Sequence, residues 1–219
     1  MKKFLTKHQI PTAAYESFND LKLALEHLEK SSFPIVVKAD GLAAGKGVTV
    51  AQTRYEAEKA IRECLEKKSF GEAGNKVVVE EFLRGEEASF IVLTDGNNIL
   101  PLASSQDHKT RDNKDKGPNT GGMGAYSPAP IVSAEIHEKI MNQVINPTIK
   151  GLAKEGIAYC GFLYAGLMID QEQNVKVLEF NCRFGDPETQ PVLMRLRSDL
   201  VDLCYQASKG KLKAIDLEW

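Results

Sequence analysis

Seven residues, Gly41-Leu42-Ala43-Ala44-Gly45-Lys46-Gly47, constrain this chain more than any others. Ahead of them Pro34-Ile35-Val36-Val37-Lys38 reads as a buried strand, and behind them Val48-Thr49-Val50-Ala51 reads as a second one. The glycines therefore join two strands rather than a strand and a helix. A Walker A loop needs four residues between its glycines, a Ser or Thr after the lysine, and a helix behind. Here three residues separate Gly41 from Gly45, Gly47 follows Lys46, and a strand comes next. The loop is either a flexible hairpin turn or a cradle whose unhindered N–H groups and mobile lysine meet an anion.

Strands and helices alternate around this loop without a strict βαβ rhythm, which predicts an α+β chain of two packed subdomains, residues 1–79 and 80–219. Asn19 is expected to cap a helix with Leu21, Ala24, Leu25 and Leu28 on one face. Thr53-Arg54-Tyr55-Glu56 reads as a capping box, opening a helix that turns Ala57, Ala60, Ile61, Cys64 and Leu65 inward. Residues 76–83 form a strand that is apolar at first and acidic at its end. In the second part, residues 88–94 and 99–104 flank Asp95-Gly96-Asn97-Asn98, a hairpin turn. Residues 105–130 show no periodicity and read as a long loop, functional or disordered, in which Gln106 to Pro128 is expected to be mobile without ligand. Ser133 is expected to cap a helix with Ile136, Ile140 and Val144 inward, which Pro147 should kink or interrupt. A second hairpin spans 161–169 and 175–180, and a last helix runs from about 198 to 210.

A net charge of −2 gives no basic field for nucleic acid or an anionic membrane. No apolar run approaches the roughly 18 residues of a spanning helix. Neither nucleic acid nor membrane is therefore an expected partner. Cys64, Cys160, Cys182 and Cys204 lie far apart without metal-ligand spacing, which suits reduced thiols in a cytoplasmic protein.

Five further groups could carry chemistry. Lys38 ends a buried strand, where its ammonium is costly to leave unpaired and could meet a phosphate. Glu80-Glu81-Phe82-Leu83, with Glu87 close behind, offers carboxylates and carbonyls suited to an adenine amino group and ribose hydroxyls. Glu179 and Asn181 alternate on one face of a strand end, either as the polar edge of a hairpin or as hard oxygen ligands for Mg²⁺. Arg183-Phe184-Gly185-Asp186-Pro187-Glu188 follows at once, with Asp186 placed to cap a helix and Pro187 to begin it. Asp107-His108-Lys109, Arg111 and residues 114–124 could fold over an anionic substrate.

The order of lysine, glycine loop, acidic hinge and Glu-x-Asn resembles the ATP-grasp superfamily. Residues 38–48, Gln106-Asp107-His108-Lys109, residues 117–128 and 179–190 look more closely like the phosphoribosylamine–glycine ligase family. The resemblance implies an ATP-grasp fold, two α+β subdomains with the nucleotide cleft between them. It also implies a reaction in which glycine's carboxylate takes the γ-phosphate of ATP, and 5-phosphoribosylamine then displaces phosphate from glycyl phosphate. Carried over residue by residue, Lys38, Gly45, Lys46 and Gly47 belong at the phosphates. Glu80, Glu81, Phe82, Leu83 and Glu87 belong at adenine and ribose, and Glu179 and Asn181 at Mg²⁺ or Mn²⁺. Lys46, Arg183 and Asp186, with the Gly121-Gly122 turn, belong beside the reacting groups. Many members of the superfamily carry a second acid on the strand paired with Glu-x-Asn. Here that strand reads Tyr164-Ala165-Gly166-Leu167-Met168, without one. The resemblance covers nearly the whole chain but only the middle of the family's protein, which normally has a domain before and another after. By that comparison those domains are the chain's partners, and the isolated chain is expected to bind ATP without completing the ligation. The competing expectations are a nucleotide-binding module without turnover and a ligase for another acid and amine.

Overall fold

A computed structural model describes residues 1–41, 47–113, 116–120 and 122–219. The chain divides into two compact units, Ala13–Leu83 and a larger one made of Met1–Thr12 and Arg84–Trp219. The division expected at 79/80 thus moves to Leu83/Arg84, and the first twelve residues fold with the larger unit. Packing explains this. Helix α1 (Lys2–Lys7) supplies Leu5, and Ile10 follows it; both are buried in the larger unit's core. Thr12 then bridges Val177, its hydroxyl donating to the Val177 carbonyl at 2.7 Å.

In the smaller unit the elements run β1 (Tyr15–Phe18), α2 (Leu21–Leu28), β2 (Ile35–Ala39), β3 (Val48–Ala51), α3 (Arg54–Leu65) and β4 (Val77–Glu81). The sheet order is β1-β4-β2-β3, with every pair antiparallel. The glycine stretch joins β2 to β3, as its flanking strands require, with Lys38 opposite Val48. Helix α2 is capped by Asp20, not Asn19: the Asp20 carboxylate accepts from Leu23 N at 3.0 Å. An ionised cap also complements the positive end of the helix. Helix α3 has the first half of its expected box, Thr53 Oγ1 accepting from Glu56 N, while the Glu56 carboxylate accepts at 2.7 Å from Gln52 N, one residue before the cap, rather than from Thr53 N. The helices cover Ile35, Val37, Val77 and Val79. Strand alternation sends Val36, Lys38, Val78 and Glu80 to the other face.

The larger unit continues with β5 (Glu86–Thr94), β6 (Ile99–Pro101), β7 (Gln106–Asp107), β8 (Thr110–Asp112), β9 (Lys116–Asn119) and β10 (Ala125–Tyr126). Next come α4 (Ala134–Ile140), α5 (Asn146–Lys154), β11 (Gly161–Ile169), β12 (Val175–Asn181), α6 (Thr189–Arg195) and α7 (Leu200–Ser208). The main sheet has the order β12-β11-β5-β6. Residues 105–130, expected as a structureless loop, contain two short ladders, β7 with β10 and β8 with β9. Ser133 caps α4 as expected. A wide π turn, Met141–Ile145, separates α4 from α5 immediately before Pro147, where an α-helical ladder would lack one N–H. One face of the sheet buries Phe90, Val92, Leu163, Ala165, Val175 and Val177 beneath Leu5, Ile136, Ile140 and Ile149. The opposite face carries Ile91 and Tyr164 against Val192, and Leu93 against Leu203 and Ala207. Helix α6 begins at Thr189, two residues later than Asp186 and Pro187 suggest. The preceding turn closes on Gly185, whose carbonyl accepts from Thr189 N at 3.2 Å.

Candidate nucleotide and metal site

In the smaller unit, β2 and β4 place Lys38 and Glu80 on the face turned from the helices. The Lys38 ammonium stands 3.1 Å from the Glu80 carboxylate, whose side chain is 3% exposed. A carboxylate this deep needs a cation or hydrogen bonds to offset its lost hydration. Glu80, read from the sequence as an adenine or ribose contact, is thus a partner of Lys38. Glu81 lies at the exposed strand end, its carboxylate accepting from Ala14 N at 3.1 Å. Phe82 and Leu83, both half-buried, lead out of the unit. Gly47 is buried, and its carbonyl accepts from Ala39 N at 2.9 Å. Gly45 and Lys46 lie outside the described residues.

In the larger unit, Glu179 and Asn181 end β12 on one face, as alternation requires, and the Asn181 amide donates to Glu179 Oε1 at 3.3 Å. Their cross-strand neighbours are Gly166 and Tyr164. Gly166 makes room: a Cβ there would stand 3.1 Å from Glu179 Cγ and 3.4 Å from the Tyr164 ring. Carboxylate and amide oxygens side by side are the donors a hard divalent cation takes. Among the described residues, no three His, Cys, Asp or Glu side chains gather to hold a metal. A cation at Glu179 and Asn181 would therefore complete its shell with phosphate or water oxygens.

Next to this pair is a cluster that sequence reading did not assemble. Glu188, 2% exposed, accepts from Ser89 Oγ at 2.6 Å and from Tyr164 OH at 3.1 Å. Glu87 pairs with Lys109 at 2.7 Å, where the sequence suggested a ribose contact. Burial pushes the Asp107 carboxyl above the usual range; Lys109 opposes the shift, while Glu188 and Glu87 add to it. Burial alone would lower the Lys109 ammonium, but Glu87 and Asp107 outweigh it and hold the charge firmly. The Tyr164 phenol is pushed up by burial and then by Glu188. No local signal announces this cluster, because Ser89 and Glu188 lie 99 positions apart.

The turn after β12 is exposed at Arg183 and Asp186. Arg183 donates to the Phe184 carbonyl at 2.6 Å. Gly122 packs on Pro187, where a Cβ would come within 2.6 Å of the ring. The loop thus reaches the Arg183–Pro187 turn as the motifs suggest, with Gly121 outside the described residues. His108 stacks near Tyr126, with ring centroids 5.4 Å apart. A polar cavity of about 310 Å³ lined by His8, Asn142, Asn146, Lys150 and Lys154 belongs to the helical layer, across the sheet from Glu179. Among the described residues no helix is long and apolar enough to cross a membrane.

Two antiparallel α+β units of this topology make an ATP-grasp fold. The phosphoribosylglycinamide synthetase ATP-grasp (A) domain model matches residues 1–189, and the chain belongs to that family. It is 62% identical over 218 residues to phosphoribosylamine–glycine ligase of Vibrio vulnificus, covering 100% of this chain and 51% of that protein. The same ligase of Salmonella typhimurium is 61% identical over the same share. The chain spans about half the length of these curated relatives. Among solved structures, the Thermotoga maritima phosphoribosylamine–glycine ligase aligns with a TM-score of 0.81 and 36% identity, over 95% of this chain and 53% of that one. A Campylobacter jejuni biotin carboxylase aligns over 95% of this chain and 45% of that one, with a TM-score of 0.74 and 15% identity, a likeness of fold alone.

Proposed function

We propose that the protein carrying this chain joins glycine to 5-phosphoribosylamine at the expense of ATP, giving glycinamide ribonucleotide, ADP and phosphate in the cytoplasm. The observation that carries the reading is identity of 62% to a ligase of that name across the entire chain. The site's chemistry agrees with it. A carboxylate is a poor electrophile because its oxygen leaves badly. Phosphorylation by ATP makes the acyl carbon reactive, and the amine then displaces phosphate with its electron pair while the C–O bond to phosphate breaks. Such a reaction asks a protein chiefly for positioning and charge neutralisation.

In this reading Lys38, with Lys46, Gly45 and Gly47 of the glycine loop, holds the ATP phosphates. Glu81, Phe82 and Leu83 line adenine and ribose. Glu80 serves by orienting Lys38, and Glu87 is available to ribose once it exchanges Lys109 for a hydroxyl. Glu179 and Asn181 would hold Mg²⁺ or Mn²⁺, which supplies positive charge against the triphosphate. Arg183 and Asp186 stand beside the reacting groups, with the 105–130 segment excluding water from the acyl phosphate. The natural-length protein tests this: ADP release should require both glycine and 5-phosphoribosylamine. Equal turnover with other amino acids, or ADP release indifferent to glycine, would refute it.

A further inference from the structure

Glu188 takes the N-cap position of α6 yet caps nothing, since no N–H of the helix reaches its carboxylate. The carboxylate turns into the sheet instead. Its Oε1 accepts from Ser89 and Tyr164, whose own oxygens lie 3.0 Å apart, so the three groups close a triangle. Its Oε2 lies against Gly185, where a Cβ would come within 2.3 Å. Burying a carboxylate is unfavourable unless hydrogen bonds offset it, so packing alone does not account for this residue. The anchor points matter. Tyr164 is the cross-strand neighbour of Asn181, and Gly166 lies between Ser89 and Glu179 in one row across three strands. The turn carrying Arg183 and Asp186 is therefore tied, through Glu188, to the two rows that carry Glu179 and Asn181.

We propose that Glu188 is a positioning residue: its carboxylate locks the 183–187 turn to Ser89 and Tyr164, so that Arg183 and Asp186 stand at a fixed place relative to Glu179 and Asn181. This rests on the ligase reading above. The lock depends on an acceptor oxygen at that point rather than on reactivity of the carboxylate.

The test uses the natural-length protein and variants at Glu188, Tyr164 and Ser89. Glu188→Ala should lower kcat on the order of 100-fold with the KM for ATP nearly unchanged, the scale of a misplacement of about 1 Å. Glu188→Gln keeps an oxygen for Ser89 and Tyr164 and should restore kcat to within roughly fivefold of the parent. Tyr164→Phe should slow turnover by itself but add nothing in the Glu188→Ala background, as expected for partners in one contact. Hydrogen exchange at 183–187 should quicken in Glu188→Ala and stay at the parent rate in Glu188→Gln. Should Glu188→Ala fail to fold, Ser89→Ala loosens the same lock more gently and must quicken exchange at the same residues. Parental kcat and exchange in a folded Glu188→Ala would overturn the proposal. So would a Glu188→Gln as slow as Glu188→Ala with parental exchange, because charge and not position would then be at work. If the parent itself makes no product, the ligase reading fails, while the exchange data still decide whether Glu188 holds the turn.

Discussion

Glu179 reaches out of its sheet because the residue across from it is glycine, and Asn181 lies two positions further along the same strand face. Neither side chain belongs to a hydrophobic core, so removing the carboxylate should leave the fold intact. Glu179→Ala is expected to retain its melting temperature and lose Mg²⁺-dependent turnover by at least about 100-fold, since a catalytic metal supplies several kcal/mol. Mg²⁺ titration of the variant's activity checks this, and parental Mg²⁺ dependence would refute the assignment. A different carboxylate contributes to acid stability. Burial alone would raise Asp95, but hydrogen bonds from Asn98, Asn97 and Leu212 bring it down to about 2. Its folded value is below its unfolded value near 3.9. Its contribution is therefore complete above about pH 4 and is lost as pH falls through about 2. Asp95→Ala should cost on the order of 1 kcal/mol at pH 7 after allowance for solvent screening. In urea melts the difference from the parent should shrink towards pH 2; a difference independent of pH would contradict the account.

At the level of elements, what could be read from the sequence was local. Ser133 and Thr53 are caps because their oxygens reach an N–H three residues on, an interaction written entirely within one turn. The Asn19 expectation missed by one residue, for Asp20 offers the same oxygen with a charge. The glycine stretch joins strands as expected, because its flanks are apolar and too close for a helix between them. The ladders within 105–130 were not legible: pairings such as Gln106–Asp107 with Ala125–Tyr126 are too short to show a period of two. The Glu188 cluster was hidden for another reason, since its members meet only after three distant segments have folded. Gly122 marks where the long loop meets the Arg183–Pro187 turn. Its φ of 126° and its closeness to Pro187 leave no room for a side chain. Gly122→Ala should strain the backbone by about 1–3 kcal/mol locally. Faster hydrogen exchange in 116–126 and slower turnover, with the global melting temperature little changed, would be the signature. Parental exchange and turnover would show that this contact carries nothing.

At the level of the whole molecule, the proposed reaction draws on residues of both compact units. The smaller carries the Lys38–Glu80 pair, and the larger carries Glu179, Asn181, the Glu188 cluster and the 105–130 segment. The first twelve residues show why the division was misplaced by sequence reading. Nothing in Leu5 or Ile10 reveals which core they enter, and only the assembled sheet does. In the proposed reaction ATP activates glycine's carboxylate by phosphorylating it. The most direct test supplies glycine labelled with ¹⁸O in its carboxylate to the natural-length protein, with ATP and 5-phosphoribosylamine. The released phosphate is then analysed by mass spectrometry. Acyl phosphate formation transfers one labelled oxygen from glycine to each phosphate released as product forms. Unlabelled phosphate alongside glycinamide ribonucleotide would mean that the carboxylate is not phosphorylated, and the account would be wrong at its centre.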